Sequence, residues 1–192
     1  MQKAILKDIK TAEKVISSLK KHSNDIENAI KLITECYRRG GKLILFGNGG
    51  SASDAQHIAA EFVGRFEKER KALPALALNV NTSVMTAVSN DYGYGAVFAR
   101  QIEAFASPKD IIIALSTSGN SENVINAVKK AKEIGAKVIG FTGKKTSRLS
   151  KLSDLCFKVS CDSACRAQEG HITILHIICK LAEEQLYGHK KI

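Results

Sequence analysis

Five short apolar runs organise this chain: Lys42–Phe46, Ala75–Asn79, Asp110–Leu115, Lys137–Phe141 and Asp154–Val159. They are rich in Ile, Leu and Val. Apolar residues run on without polar alternation, as in strands covered on both faces. Segments of helical periodicity lie between them, near residues 52–65, 83–105, 121–134 and 146–152, and a last helix is predicted over 164–187. Strands alternating with helices pair in parallel, because each return crosses over one face of the sheet. The expectation is an α/β three-layer sandwich with a five-stranded parallel sheet.

Two further helices precede the first strand. Ile5, Ile9, Ala12, Val15, Ile16 and Leu19 recur at helical spacing. Ser23-Asn24-Asp25 breaks and recaps the chain. Ile26, Ala29, Ile30, Ile33 and Tyr37 continue until Gly40-Gly41, a stop signal. Residues 1–39 are expected to pack on the domain and on an oligomer, and 40–187 to form the α/β core of a single domain spanning 1–192.

The formal charge of +10 raises nucleic acid or an anionic substrate as partners. The basic residues are dispersed as pairs, such as Lys20-Lys21, Arg38-Arg39 and Lys144-Lys145, with no aromatic side chains interleaved. A solvated basic surface is expected, with no nucleic-acid partner. The cysteines are Cys36, Cys156, Cys161, Cys165 and Cys179. An odd count with no secretory signal pattern predicts reduced thiols in a cytoplasmic protein. No apolar run approaches the roughly 20 residues that span a bilayer.

In an open α/β sheet, ligands bind beyond the carboxyl ends of the strands. Three loops at such ends carry chemistry, one of them Thr142-Gly143-Lys144-Lys145 after Val138-Ile139-Gly140-Phe141. Gly47-Asn48-Gly49-Gly50-Ser51 leads from a strand into a helix, where backbone N–H groups and the helix dipole favour an anion. Ser116-Thr117-Ser118-Gly119-Asn120-Ser121 does the same after the third strand and adds hydroxyl donors. An ordinary serine cap on the next helix is the alternative. Two such loops favour a phosphate, although neither matches the P-loop pattern.

His57 and Glu61 follow the first loop at i,i+4, on one helix face, with Arg65 one turn on. An imidazole and a carboxylate so placed can share a metal ion or act as acid and base. The last helix carries Arg166, Gln168, Glu169, His171 and His176. His176 lies in an apolar run, Ile174-Leu175-His176-Ile177-Ile178, where a core histidine bonded to a carbonyl is the plain alternative. Gln168 and His176 are about 12 Å apart along a helix axis, close enough for two long side chains to meet at one ion.

These motifs resemble one family. Gly-Asn-Gly-Gly-Ser at 47–51, Asp54-Ala55-Gln56-His57 with Glu61 and Gly64-Arg65, Asn90-Asp91-Tyr92-Gly93, Ser-Thr-Ser-Gly-Asn-Ser at 116–121, and Gln168-Glu169 with His171 and His176 are similar in order and spacing to the phosphoheptose isomerases. Those belong to the sugar isomerase (SIS) domain superfamily. The resemblance runs from about residue 24 to 187. It implies a flavodoxin-like sandwich and a cytoplasmic homotetramer with sites shared between subunits.

It also implies one zinc ion per subunit, on His57, Glu61, Gln168 and His176. Implied substrate contacts are Asn48, Gly49, Gly50, Ser51, Glu61, Asn90, Asp91, Ser116, Thr117, Ser118, Ser121 and Gln168. The family's base matches Glu61 and its acid His176. The implied reaction converts sedoheptulose 7-phosphate to D-glycero-D-manno-heptose 7-phosphate through an enediol, feeding lipopolysaccharide and related bacterial surface polysaccharides. Cys165 stands where some members carry an acidic residue.

Two rivals share the superfamily resemblance. A replication-initiator-binding relative lacks the histidine that matches His176, which this chain has. A sugar-phosphate-sensing regulator would bring a helix-turn-helix, but the N-terminal helices here lack a basic recognition face.

Overall fold

Along the first strand, Leu43 and Leu45 face one apolar core while Ile44 and Phe46 face another. Ile111, Ile113 and Leu115 repeat the first choice, and Ile112 and Ala114 the second. A sheet whose side chains are apolar on both faces must be covered on both, and helices do so here. The computed structural model describes residues 1–188.

Two helices, α1 (Gln2–Ser18) and α2 (Ser23–Arg38), lead into β1 (Leu43–Gly47) and α3 (Gly50–Val63). Next come β2 (Ala75–Ala77), α4 (Thr82–Tyr92), α5 (Val97–Phe105) and β3 (Ile111–Leu115). The chain continues through α6 (Glu122–Ile134), β4 (Lys137–Gly143), α7 (Arg148–Leu152), β5 (Leu155–Val159) and α8 (Ala164–Tyr187). All five strands are parallel, in the order β2-β1-β3-β4-β5. This is the expected α/β sandwich with flavodoxin-like strand order. Residues of α2, α3 and α8 fill one core; residues of α5 and α6 fill the other.

One expectation needs correction. The helical stretch over 83–105 is two helices, not one. Gly93 interrupts it at φ +81°, a conformation that costs glycine little, and a short 3-10 turn at Tyr94–Ala96 redirects the chain. Within one chain the apolar stripe of α1 is largely uncovered. Val15 is its one buried residue, while Ile5, Leu6, Ile9 and Ile16 are exposed. On α8, Ile177 and Leu181 are likewise exposed, so that helix is not covered on all sides within one chain. No helix among the described residues is long and apolar enough to cross a membrane.

Candidate active site

Strand order reverses between β1 and β3, and such a reversal opens a crevice at the carboxyl edge. Gly47 and Leu115, the last residues of β1 and β3, are paired in register, so the loops that follow start side by side. The first loop is tight. A Cβ on Gly47 would lie 2.7 Å from Ser51 Cβ and 2.9 Å from the Leu115 carbonyl oxygen. Gly49 has φ +58° and caps α3 without a side chain, with nothing within 4 Å of where its Cβ would lie. Asn48 and Asn123 exchange reciprocal amide hydrogen bonds of 2.9 Å, and the Tyr94 hydroxyl donates to Asn48 Oδ1 at 3.0 Å. Asn79 donates to the Gly47 carbonyl at 2.8 Å.

The second loop gathers hydroxyls. Ser121 occupies the N-cap of α6 but makes no capping bond with its side chain. Its Oγ lies 3.1 Å from Ser116 Oγ, which is itself 3.3 Å from Ser118 Oγ. The simple capping alternative is therefore not what this serine does. Gly119, at φ +65°, donates its N–H to Ser116 Oγ at 3.1 Å. A Cβ there would overlap Ser147 Oγ at 2.0 Å. The Thr117 carbonyl accepts from the Gly143 N–H at 2.9 Å, tying the loop to the end of β4. Three hydroxyls and a helix start thus converge, an arrangement suited to phosphate oxygens.

Beyond the first loop, α3 presents His57 and Glu61 to α8. His57 Nε2 lies 3.1 Å from Glu61 Oε1. The rings of His57 and His176 meet edge to face with centroids 5.0 Å apart, and Phe66 lies 5.7 Å from the His176 ring. His57, Glu61 and His176 each offer one ligand atom, all within 4.8 Å of one another. His176 Nε2 is buried without a hydrogen-bond partner, an orphan that a cation would satisfy. Burial pushes the His176 pKa down, the neighbouring His57 adds to this, and Glu61 opposes it. The neutral imidazole so favoured is the form that binds a metal.

Gln168 sits closer to the start of α8. Its carboxamide packs over Gly50, where a Cβ would approach Nε2 to 2.6 Å. The last helix therefore covers the opening of α3 as well as its middle. His171 is the core histidine of this helix. It is fully buried, and its Nε2 lies 3.1 Å from the Thr142 carbonyl oxygen. The carbonyl-bonded role suggested for His176 falls to His171.

Asn90 and Asp91 stand apart. Both are exposed at the end of α4, and Asn90 donates to Asp91 Oδ1 at 2.8 Å. Arg65 leaves the His57–Glu61 stripe and lies 3.7 Å from Glu69 in an exposed ion pair. Sequence reasoning missed Asn79, Tyr94 and Asn123, which brace the first loop. Asp54 belongs to the motif that contains His57, with no role evident from spacing. Asp54 Oδ2 is buried without a partner on the same helix, and desolvation raises its pKa while His57 lowers it.

A parallel sheet with a glycine loop and a hydroxyl loop at its reversal point is the SIS domain arrangement, and the SIS domain family matches residues 9–143. The phosphoheptose isomerase of Geotalea daltonii is 44% identical over 192 residues, 100% of both chains. That of Clostridium acetobutylicum is 47% identical over 186 residues, 97% of this chain and 94% of its own. The solved phosphoheptose isomerase of Neisseria gonorrhoeae superposes with a TM-score of 0.90 at 35% identity, covering 95% of this chain and 98% of its own. The chain belongs to the phosphoheptose isomerase family of SIS domain proteins, and it is an isomerase.

Proposed function

We propose that this protein converts sedoheptulose 7-phosphate to D-glycero-D-manno-heptose 7-phosphate, as a cytoplasmic enzyme supplying heptose for bacterial surface polysaccharide. The observation that carries the reading is the pairing of the Ser116, Ser118 and Ser121 hydroxyl cluster with a carboxylate and two imidazoles on α3 and α8. One part suits a phosphate and the other suits proton transfer. The full-length likeness to proteins named phosphoheptose isomerase supports the substrate.

In this mechanism the phosphate rests on Ser116, Thr117, Ser118 and Ser121, with Ser51 and the backbone of Gly49 and Gly50 completing the cradle. Asn48, Gln168, Asn90 and Asp91 contact the sugar hydroxyls. Glu61 removes the proton from the carbon beside the carbonyl, and His176 supplies a proton to the developing oxyanion. Glu61 then returns the proton to the neighbouring carbon while His176 takes back a proton from the hydroxyl that becomes the new carbonyl, which completes an aldose–ketose exchange through an enediol and restores both groups.

The donor set of His57, Glu61 and His176 fits zinc, a borderline ion that takes nitrogen and oxygen ligands, and Gln168 would complete the set from α8. A bound zinc ion would supply Lewis-acid polarisation of the sugar oxygens.

The assembly is proposed to be a homotetramer with sites shared between subunits. The uncovered apolar side chains of α1, the absence of any buried residue on α4, and exposed Ile177 and Leu181 beside His176 support this. Asn90 and Asp91, solvent-exposed in one chain, would then serve a neighbouring site. The test is incubation of the zinc-supplemented protein with sedoheptulose 7-phosphate and with unphosphorylated sedoheptulose. Formation of the aldose from the phosphate ester alone is expected. No turnover by folded protein, or equal turnover of both sugars, would overturn the reading.

A further inference from the structure

Arg70 and Glu183 form an ion pair with almost no exposure. Their side chains are 1% and 2% exposed, and Arg70 Nε donates to Glu183 Oε1 at 2.8 Å. The proton transfers described above use neither. Glu183 lies on α8, seven residues and so about two turns after His176. Its carboxylate also accepts the N–H groups of Phe66 at 3.1 Å, and of Glu67 and Lys68 at 2.8 Å each. Arg70 donates to the carbonyls of Glu61 and Phe62, both at 2.8 Å. These carbonyls belong to the last turn of α3, where a helix leaves its acceptors unpaired.

One charged pair therefore grips three things together: the end of α3, the loop that follows, and α8. Both halves of the candidate metal group hang from it. Glu61 is held through its own carbonyl. Phe66 is held through its N–H, and its ring packs against His176. Apolar side chains of similar volume would join the two helices without the desolvation cost of buried charges. What they would lack is direction, because each hydrogen bond here fixes one particular carbonyl or N–H.

We propose that Arg70 and Glu183 are positioning residues that set the spacing of α3 and α8 at His57, Glu61 and His176. They thereby control how tightly that group holds a divalent cation and how Glu61 is aimed at the substrate. The inference rests on the isomerase reading for its catalytic part and on geometry alone for its metal part.

The test uses Glu183→Gln, which keeps the shape but removes the charge, and Arg70→Lys, which keeps the charge but loses the planar fork. Zinc affinity is read by competition with a chromophoric chelator, and kcat and KM are read separately. Folded Glu183→Gln should bind zinc roughly 10–100-fold more weakly, the range seen when groups supporting metal ligands are lost. Its kcat should fall while KM for the phosphorylated sugar holds, since the serine loop is not attached to this pair. Arg70→Lys should lie between it and the unaltered protein.

If either variant does not fold, the unaltered protein supplies the test. Coupling is reciprocal, so zinc should slow hydrogen exchange at the amides of Phe66, Glu67 and Lys68. A folded Glu183→Gln protein with normal zinc affinity and kcat overturns the proposal. So does zinc that binds without changing exchange at those amides, and so does failure of the unaltered protein to bind zinc. Normal metal coupling with no turnover of the heptose phosphate supports the positioning role and overturns the substrate assignment instead.

Discussion

The imidazoles of His57 on α3 and His176 on α8 meet edge to face, 5.0 Å between centroids, beside the carboxylate of Glu61. The contact brings two distant helices to one point and leaves His176 Nε2 without a protein partner. A buried nitrogen with no bond is costly unless something else satisfies it. The group is therefore shaped for a ligand rather than for stability.

Glu61→Gln tests the proposed base. The amide is nearly isosteric but accepts no proton from carbon. The expected outcome is a folded protein with isomerisation reduced about 10²–10⁴-fold, the usual contribution of a general acid or base. Circular dichroism and a coupled sugar assay check it, and near-normal turnover would remove Glu61 from that role.

The serine loop predicts a loss of phosphate selectivity. Ser118 and Ser121 both lie within hydrogen-bond reach of Ser116 Oγ. Ser118→Ala/Ser121→Ala removes two hydroxyl donors, each worth about 1.5–3 kcal/mol toward a charged partner. KM for the phosphorylated sugar should rise, while any residual action on the free sugar should not change. An unaltered ratio between the two would place the phosphate elsewhere.

Gly50→Ala separates folding from function. The added Cβ would lie 2.6 Å from Gln168 Nε2 and 2.7 Å from Oε1. The obstacle is the end of a flexible side chain, so the protein should fold with an unchanged melting temperature. Gln168 must move, however, and activity should drop. Full activity in the folded variant would show that the position of Gln168 does not matter.

His171 gives stability a pH dependence. Burial lowers its pKa from 6.5 to about 4, against the opposing bond to Thr142. In the unfolded chain the imidazole takes up its proton near its ordinary value, so below that point the unfolded state binds more protons. Its contribution is complete above about pH 6.5 and is lost as pH falls toward 4, on the order of 3 kcal/mol in all. Urea unfolding across this range should steepen accordingly. His171→Gln, which gains no proton, should show a shallower fall; an identical slope would assign the dependence to other groups.

The sheet and both loops were legible because their signals are local. Runs such as Ile111–Leu115 and the clusters at 47–51 and 116–121 need only neighbours in sequence to be read. The break at Gly93 was missed because apolar periodicity continues on either side of it. Roles on α8 were harder to read. Spacing puts His171 and His176 on one helix but does not say which faces β4, so the carbonyl-bonded histidine was sought at the wrong position. The pairings of Asn48 with Asn123 and of Arg70 with Glu183 were invisible, since long-range polar partners leave no periodic trace. The exposed apolar face of α1 shows a further limit, since helical periodicity marks an apolar stripe without saying what covers it.

The central claim is tested most directly by following sedoheptulose 7-phosphate by proton NMR in D2O with zinc-supplemented protein, alongside His57→Ala/His176→Ala. The account predicts conversion to the aldose heptose 7-phosphate with solvent deuterium appearing at C2, and no conversion or zinc retention in the folded double variant. An unchanged sugar in the presence of folded, zinc-supplemented protein would contradict it, as would full conversion by the double variant.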